Sequence, residues 1–167
     1  MKTSRILVLL ALAVLAGCGF HLRGSQTVAL DFDKVFLQSD GADRLLPELR
    51  RQLAYGSVSV AKLRSRAQVV LNVSDEQLDR RVLSVDPITG KVREYELGYE
   101  VYVQVTDLAG KELTRTQSVS FVRDYIFDET AVLGTYEQDR IIREELIRDA
   151  ASAVLMRLQM LELPGEQ

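Results

Sequence analysis

The sequence predicts an α+β fold in the form of a two-layer sandwich: a mostly antiparallel four-stranded sheet with two helices on one face, in the order β-α-β-β-β-α. Three observations predict it. Two stretches have apolar residues spaced three and four apart, the mark of a helix with one buried stripe. Three long stretches between them alternate apolar and polar residues, as strands with one buried face do. Two short turn signals, Asp86-Pro87-Ile88-Thr89-Gly90 and Asp107-Leu108-Ala109-Gly110, join the alternating stretches as hairpins. A chain of 167 residues, 47% hydrophobic and 27% charged, has room for one such domain and a solvated surface.

The elements follow in order. Val35-Phe36-Leu37 is a short first strand. Ala42, Leu45, Leu49 and Leu53 set the stripe of a helix over residues 43–54, with Pro47 tolerable in its first turn and Gly56 as its stop. Val69, Leu71 and Val73 share one face of the next strand, but the following apolar residues are Leu78 and Val82. That change of parity predicts a bulge near residues 75–77. From Tyr95 through Leu97, Tyr99, Val101, Val103 and Val105 the odd positions are apolar, while Glu94, Glu96, Glu100 and Gln104 face the other way. Leu113, Val119, Phe121 and Tyr125 lie in phase on a strand expected over residues 112–125. Thr135 with Gln138 three residues on is a capping-box helix start. Ile142, Leu146, Ala150, Val154 and Leu158 then carry one long helix to about Met160, and Pro164-Gly165 follows. Helices with one apolar stripe and a sheet with one apolar face bury both by stacking.

The N-terminus has a different character. Met1 to Arg5 is basic, and residues 6–16 are an apolar run too short to span a bilayer stably, the layout of a secretory signal peptide. Leu15-Ala16-Gly17-Cys18 resembles the lipobox of bacterial lipoproteins, which implies cleavage before Cys18 and lipidation of its thiol. Residues 1–17 are thus expected to be removed as a signal peptide, 18–33 to form a lipidated tether, 34–162 a single domain and 163–167 a C-terminal tail. Two or more acyl chains anchor stably where one binds marginally. Gly19 stands where an inner-membrane retention signal has Asp, so the expected location is the outer membrane, on its periplasmic side. Without Lys2 and Arg5, the 21 basic residues fall to 19 against 24 acidic ones, a net charge of −5. Nucleic acid is therefore not an expected partner. One cysteine and one histidine exclude an intrachain disulfide and any site built from paired His or Cys; no metal or cofactor is expected.

Cys18-Gly19-Phe20-His21-Leu22-Arg23-Gly24, with the order of elements and the Glu137-Gln138-Asp139 helix start, is similar to the LptE family of outer-membrane lipoproteins. The resemblance implies a two-layer α/β domain that is no enzyme. It implies a body that plugs the lumen of the large LptD barrel, helps that barrel assemble, and takes part in delivering lipopolysaccharide to the outer leaflet. A plug needs a compact body with a polar, mixed-charge surface, since large outer-membrane barrels have polar interiors.

Lipopolysaccharide carries phosphates, which clustered Arg and Lys recognise. The candidates are Arg80 and Arg81 before the 86–90 hairpin and Lys91 and Arg93 after it, with a solvated strand end as the alternative reading. The family is also thought to use a basic residue before the last helix, but residues 131–134 contain none. His21, near the anchor, suits contact with the barrel or headgroups better than base catalysis. The row Glu94, Glu96, Glu100 would be the starting point for the competing function, a periplasmic lipoprotein enzyme acting on peptidoglycan or envelope glycans. Alternate positions on a strand share its polar face in any case, and no apolar pocket is apparent to raise one pKa. Tyr95, Tyr99 and Tyr125 fit a core or an interface.

Overall fold

The computed structural model describes residues 32–56, 58–130 and 132–161. The expected signal peptide and C-terminal tail, Cys18 and His21 lie outside the described residues. The sheet has five strands, not four: β1 (Lys34–Asp40), β2 (Ser59–Val60), β3 (Val69–Val85), β4 (Val92–Thr106) and β5 (Gln117–Ile126), in the spatial order β2-β1-β3-β4-β5. The extra strand is only two residues long, too short to show a period. It forms because Ser59 N–H donates to Asp33 C=O at 2.8 Å and Ala61 N–H to Val35 C=O at 2.9 Å. β1 is parallel to both its neighbours, and the β3–β4 and β4–β5 pairs are antiparallel. The β1–β3 pairing is parallel because helix α1 (Leu45–Tyr55) carries the chain back across the sheet.

The bulge falls where the parity change predicts it. The β3–β4 register shifts between Ser74 and Gln77, and Asp75 adopts φ 52°. Val73 and Leu78 consequently point to the same face. On β4 the odd residues Leu97, Tyr99, Val101, Val103 and Val105 are buried, as the alternation predicts. β5 starts later than residue 112. Leu113 and Thr114 both donate backbone N–H groups to Val105 C=O, and Thr114 Oγ1 accepts from Val105 N–H at 2.8 Å. This side-chain bond replaces the ladder locally, so regular pairing resumes only at Gln117.

α1 buries Leu45, Leu46, Leu49 and Leu53, and Pro47 sits in its first turn, where an N–H has no intrahelical acceptor. Arg44 brings no side-chain cap. Its N–H instead donates to Glu76 Oε2 at 2.9 Å, from the residue that the bulge turns toward the helix. Glu76 Oε1 also accepts from the hydroxyl of Tyr99 at 2.7 Å, a residue only 1% exposed. Helix α2 (Val132–Gln159) begins three residues before the expected Thr135 start. Thr135 lies inside it and donates its hydroxyl to Asp128 C=O at 3.3 Å, while Asp128 Oδ1 accepts from the N–H and hydroxyl of Thr130. The Asp128 turn therefore leads the chain into the helix, and the capping-box pattern is not its start.

Ile142, Leu146, Ala150, Val154 and Leu158 are buried as the ladder predicts. They form one cluster with α1 and the odd-numbered face of the sheet, so both helices cover the same face. Gln52 joins the helices by donating to Arg148 C=O at 3.2 Å, and is steadied by a bond to Glu48 Oε1 one turn back on α1 at 2.7 Å. The covering layer is incomplete. At the far end of the β3–β4 hairpin Val82, Leu83 and Val85 are about half exposed and Ile88 is 92% exposed, which departs from a plain two-layer sandwich.

Candidate functional site

The hairpin turn that carries the candidate cations is firmly built. Asp86 Oδ1 accepts from Thr89 N–H at 2.8 Å, Ile88 N–H at 3.0 Å and the Thr89 hydroxyl at 3.0 Å. These bonds, that from Thr89 N–H foremost, hold the Asp86 carboxyl below the usual carboxylate range. Gly90 takes φ 71°, a left-handed position that favours glycine.

The four cations around this turn do not form one cluster. Arg80 pairs across the ladder with Leu97 and so faces the helix layer. Its guanidinium lies 4.6 Å from the Tyr95 ring centre and 4.0 Å from Asp139 Oδ1 on α2. Asp139 accepts from the Tyr125 hydroxyl at 2.9 Å and pairs with Arg143 one turn along the helix. Tyr95 also packs edge-on against Phe127, with ring centres 5.3 Å apart. Burial would raise the Asp139 pKa, but the bonds from Arg143 and Tyr125 outweigh it and hold the carboxyl below its ordinary value. Burial, joined by the bond to Asp139, pushes the Tyr125 phenol up. Arg80 thus belongs to a clasp between hairpin and α2.

Arg81 points to the helix-free face, 72% exposed, with Nε 2.7 Å from Glu96 Oε1. Lys91 reaches Glu129 in the segment before α2, its Nζ 2.5 Å from Oε2. Arg93 is exposed and falls at a register shift, unpaired between the Ser84–Glu94 and Val85–Val92 partners. The pairs of Arg81 and Lys91 are exposed and screened by solvent, so an incoming phosphate can displace the carboxylates at little cost. Arg80 would have to leave an aromatic face and a partly buried carboxylate.

The acidic row is engaged as well: Glu94 accepts from the Ser84 hydroxyl at 2.6 Å, Glu96 holds Arg81, and Glu100 lies opposite Ser120. Tyr99 and Tyr125 are core residues, and burial followed by the Glu76 bond pushes the Tyr99 phenol strongly up. Sequence reasoning missed Glu76 and Asp139. The Asp139–Arg143 spacing of four was a legible helical pair, but nothing local linked it to Arg80 and Tyr125.

A small α+β body of this design is the fold of bacterial lipoprotein domains. It is similar to lipoprotein B from Nitrosomonas europaea (TM-score 0.71, 24% identity, 82% of this chain and 88% of that one). It is also similar to a minor lipoprotein from Acinetobacter baumannii (TM-score 0.66, 24% identity, 83% and 99%). The family model described as lipopolysaccharide-assembly matches residues 26–158, and the chain belongs to that family, LptE. Relatives named LPS-assembly lipoprotein LptE include those of Photorhabdus laumondii, 30% identical over 161 residues (95% of this chain, 87% of the relative), and Pectobacterium atrosepticum, 29% identical over 160 residues (95% and 84%). The chain is therefore a lipopolysaccharide-assembly lipoprotein of a non-enzymatic, outer-membrane-associated family, and the glycan-cleaving alternative has no support. Among the described residues no helix is long and apolar enough to cross a membrane.

Proposed function

We propose that the chain is anchored in the outer membrane through acyl groups on Cys18 and fills the lumen of the LptD barrel. There it assists barrel assembly and the passage of lipopolysaccharide to the outer leaflet. In this reading residues 1–17 are the discarded signal peptide, 18–33 the tether, 34–162 the body and 163–167 a tail, with His21 against barrel or headgroups. Family membership supports the reading, and one structural observation carries it: the body's surface intersperses charges of both signs, several of them in ion pairs. Arg81 meets Glu96, Lys91 meets Glu129, Arg123 meets Asp149, and Arg140 meets Glu137 and Glu144. Such a surface is polar without a strong field of either sign, as suits a wedge inside a polar lumen. Crosslinking followed by mild detergent extraction should yield one stable complex with a large barrel. A monodisperse chain with no barrel attached would overturn the reading.

For lipopolysaccharide itself, the exposed cations Arg81 and Lys91 are the proposed contacts, with Arg93 and Arg80 as the remaining candidates. Arg81→Glu with Lys91→Glu should weaken lipopolysaccharide retention by the isolated body roughly tenfold, because two charge-assisted contacts give way to like-charge repulsion. Circular dichroism should stay unchanged, because neither side chain is buried. Retention equal to that of the parent protein would remove this pair from the contact surface.

A further inference from the structure

The outermost long strand of the sheet is unguarded. Among the described residues β5 pairs with β4 alone, through an unbroken register from Gln117 to Ile126. In an antiparallel ladder, alternate residues aim both backbone polar groups at the same neighbour. Phe127 N–H donates to Arg93 C=O at 2.8 Å, whereas Ser118 C=O accepts from Arg157 Nη1 on α2 at 2.9 Å. Odd residues therefore face β4 and even residues face outward. Arg157 closes the edge only at Ser118. Beyond it Ser120, Val122, Asp124 and Ile126 present their backbone groups outward, with no proline, lysine or bulge, the devices that normally blunt an edge. Arg123, the one cation of the strand, is turned to α2, where its Nη2 lies 2.7 Å from Asp149.

Side chains of the same even residues lie on the helix-free face, where Val122 is 65% and Ile126 71% exposed. On that face β4 and β5 carry Glu94, Glu96, Glu100 and Asp124; Glu96 already pairs with Arg81 of β3, which leaves Glu100 and Asp124 as the carboxylates nearest the edge with no ion pair among the described residues. We propose that the β5 edge from Ser120 to Ile126 accepts an extended polypeptide segment as a sixth strand, one whose side chains beside the helix-free face are basic. Backbone pairing supplies the affinity and the acidic row the selectivity. A second copy of this chain fits worse, since pairing β5 with β5 would set one acidic face against another.

The test is amide-resolved NMR on the isotopically labelled full mature chain in micelles, titrated with a short synthetic peptide of alternating valine and lysine. Shifts should saturate and concentrate at the amides of residues 120, 122, 124 and 126. Val122→Pro, which removes an outward N–H that the β4 ladder does not use, should weaken binding roughly fivefold or more. Asp124→Lys carries no backbone risk and should weaken it similarly. Replacing the peptide's lysines by glutamates should abolish binding. The proposal is overturned if the shifts scatter over the protein, if the glutamate peptide binds equally, if Asp124→Lys binds undiminished, or if the same amides shift through self-association with no peptide present. No barrel enters this experiment, so its outcome is separate from that of the crosslinking test.

Discussion

Glu76→Ala should lower the unfolding free energy by about 3 kcal/mol, a large fraction of what a domain of this size possesses. One carboxylate serves two groups that have no other acceptor shown: the Arg44 N–H at the start of α1 and the hydroxyl of buried Tyr99. Stranding a buried hydroxyl costs about 1–3 kcal/mol, and losing a helix cap costs about 1 kcal/mol. Glu76→Gln keeps an acceptor at one arm only and should fall between Ala and the parent. Tyr99→Phe in the Glu76→Ala background removes the stranded hydroxyl, so the double variant should be more stable than Glu76→Ala alone. Coupling of about 1–2 kcal/mol is expected. Urea unfolding of the parent, Glu76→Ala, Tyr99→Phe and the double variant measures it; a Glu76→Ala loss below about 0.5 kcal/mol, or strict additivity, would show that the bridge contributes little.

Glu76 also shows where sequence reasoning stops. The bulge was visible, because Val69, Leu71, Val73 and then Leu78, Val82 cannot share a face without one. What the bulge accomplishes was not, since turning Glu76 toward α1 joins segments far apart in the chain. β4 was fully legible because one face meets helices and the other does not, which imposes the strict period of two. β2 was invisible for want of length. The start of α2 was misplaced because Thr135 and Gln138 match a capping box by spacing, while the Asp128 turn decides where the helix begins. The hairpin cations were legible as a group but not by facing. The register shift between Ser74 and Gln77 decides that Arg80 enters the clasp and Arg81 the helix-free face. A one-residue difference in register exchanges those roles.

Cys18→Ala should release the protein from membranes that lack the barrel, by a factor of about 10⁴ or more in partitioning, because even one buried acyl chain contributes that much. The intact mass of the parent should exceed that of its processed polypeptide by the attached chains, and the variant should show no such increment. The body should fold unchanged, since residues from Phe32 to Leu161 form one apolar cluster among themselves. Two separable results then follow from a wedge held by its own surface as well as by lipid. In barrel-containing membranes the variant, exported by a conventional signal peptide, should still co-extract with the barrel, though at lower occupancy because the anchor no longer raises its local concentration. In barrel-free membranes it should be soluble. An unmodified thiol in the parent would overturn the lipid anchor and leave the surface interaction standing; loss of barrel co-extraction by a folded variant would instead show that the anchor alone holds the two together.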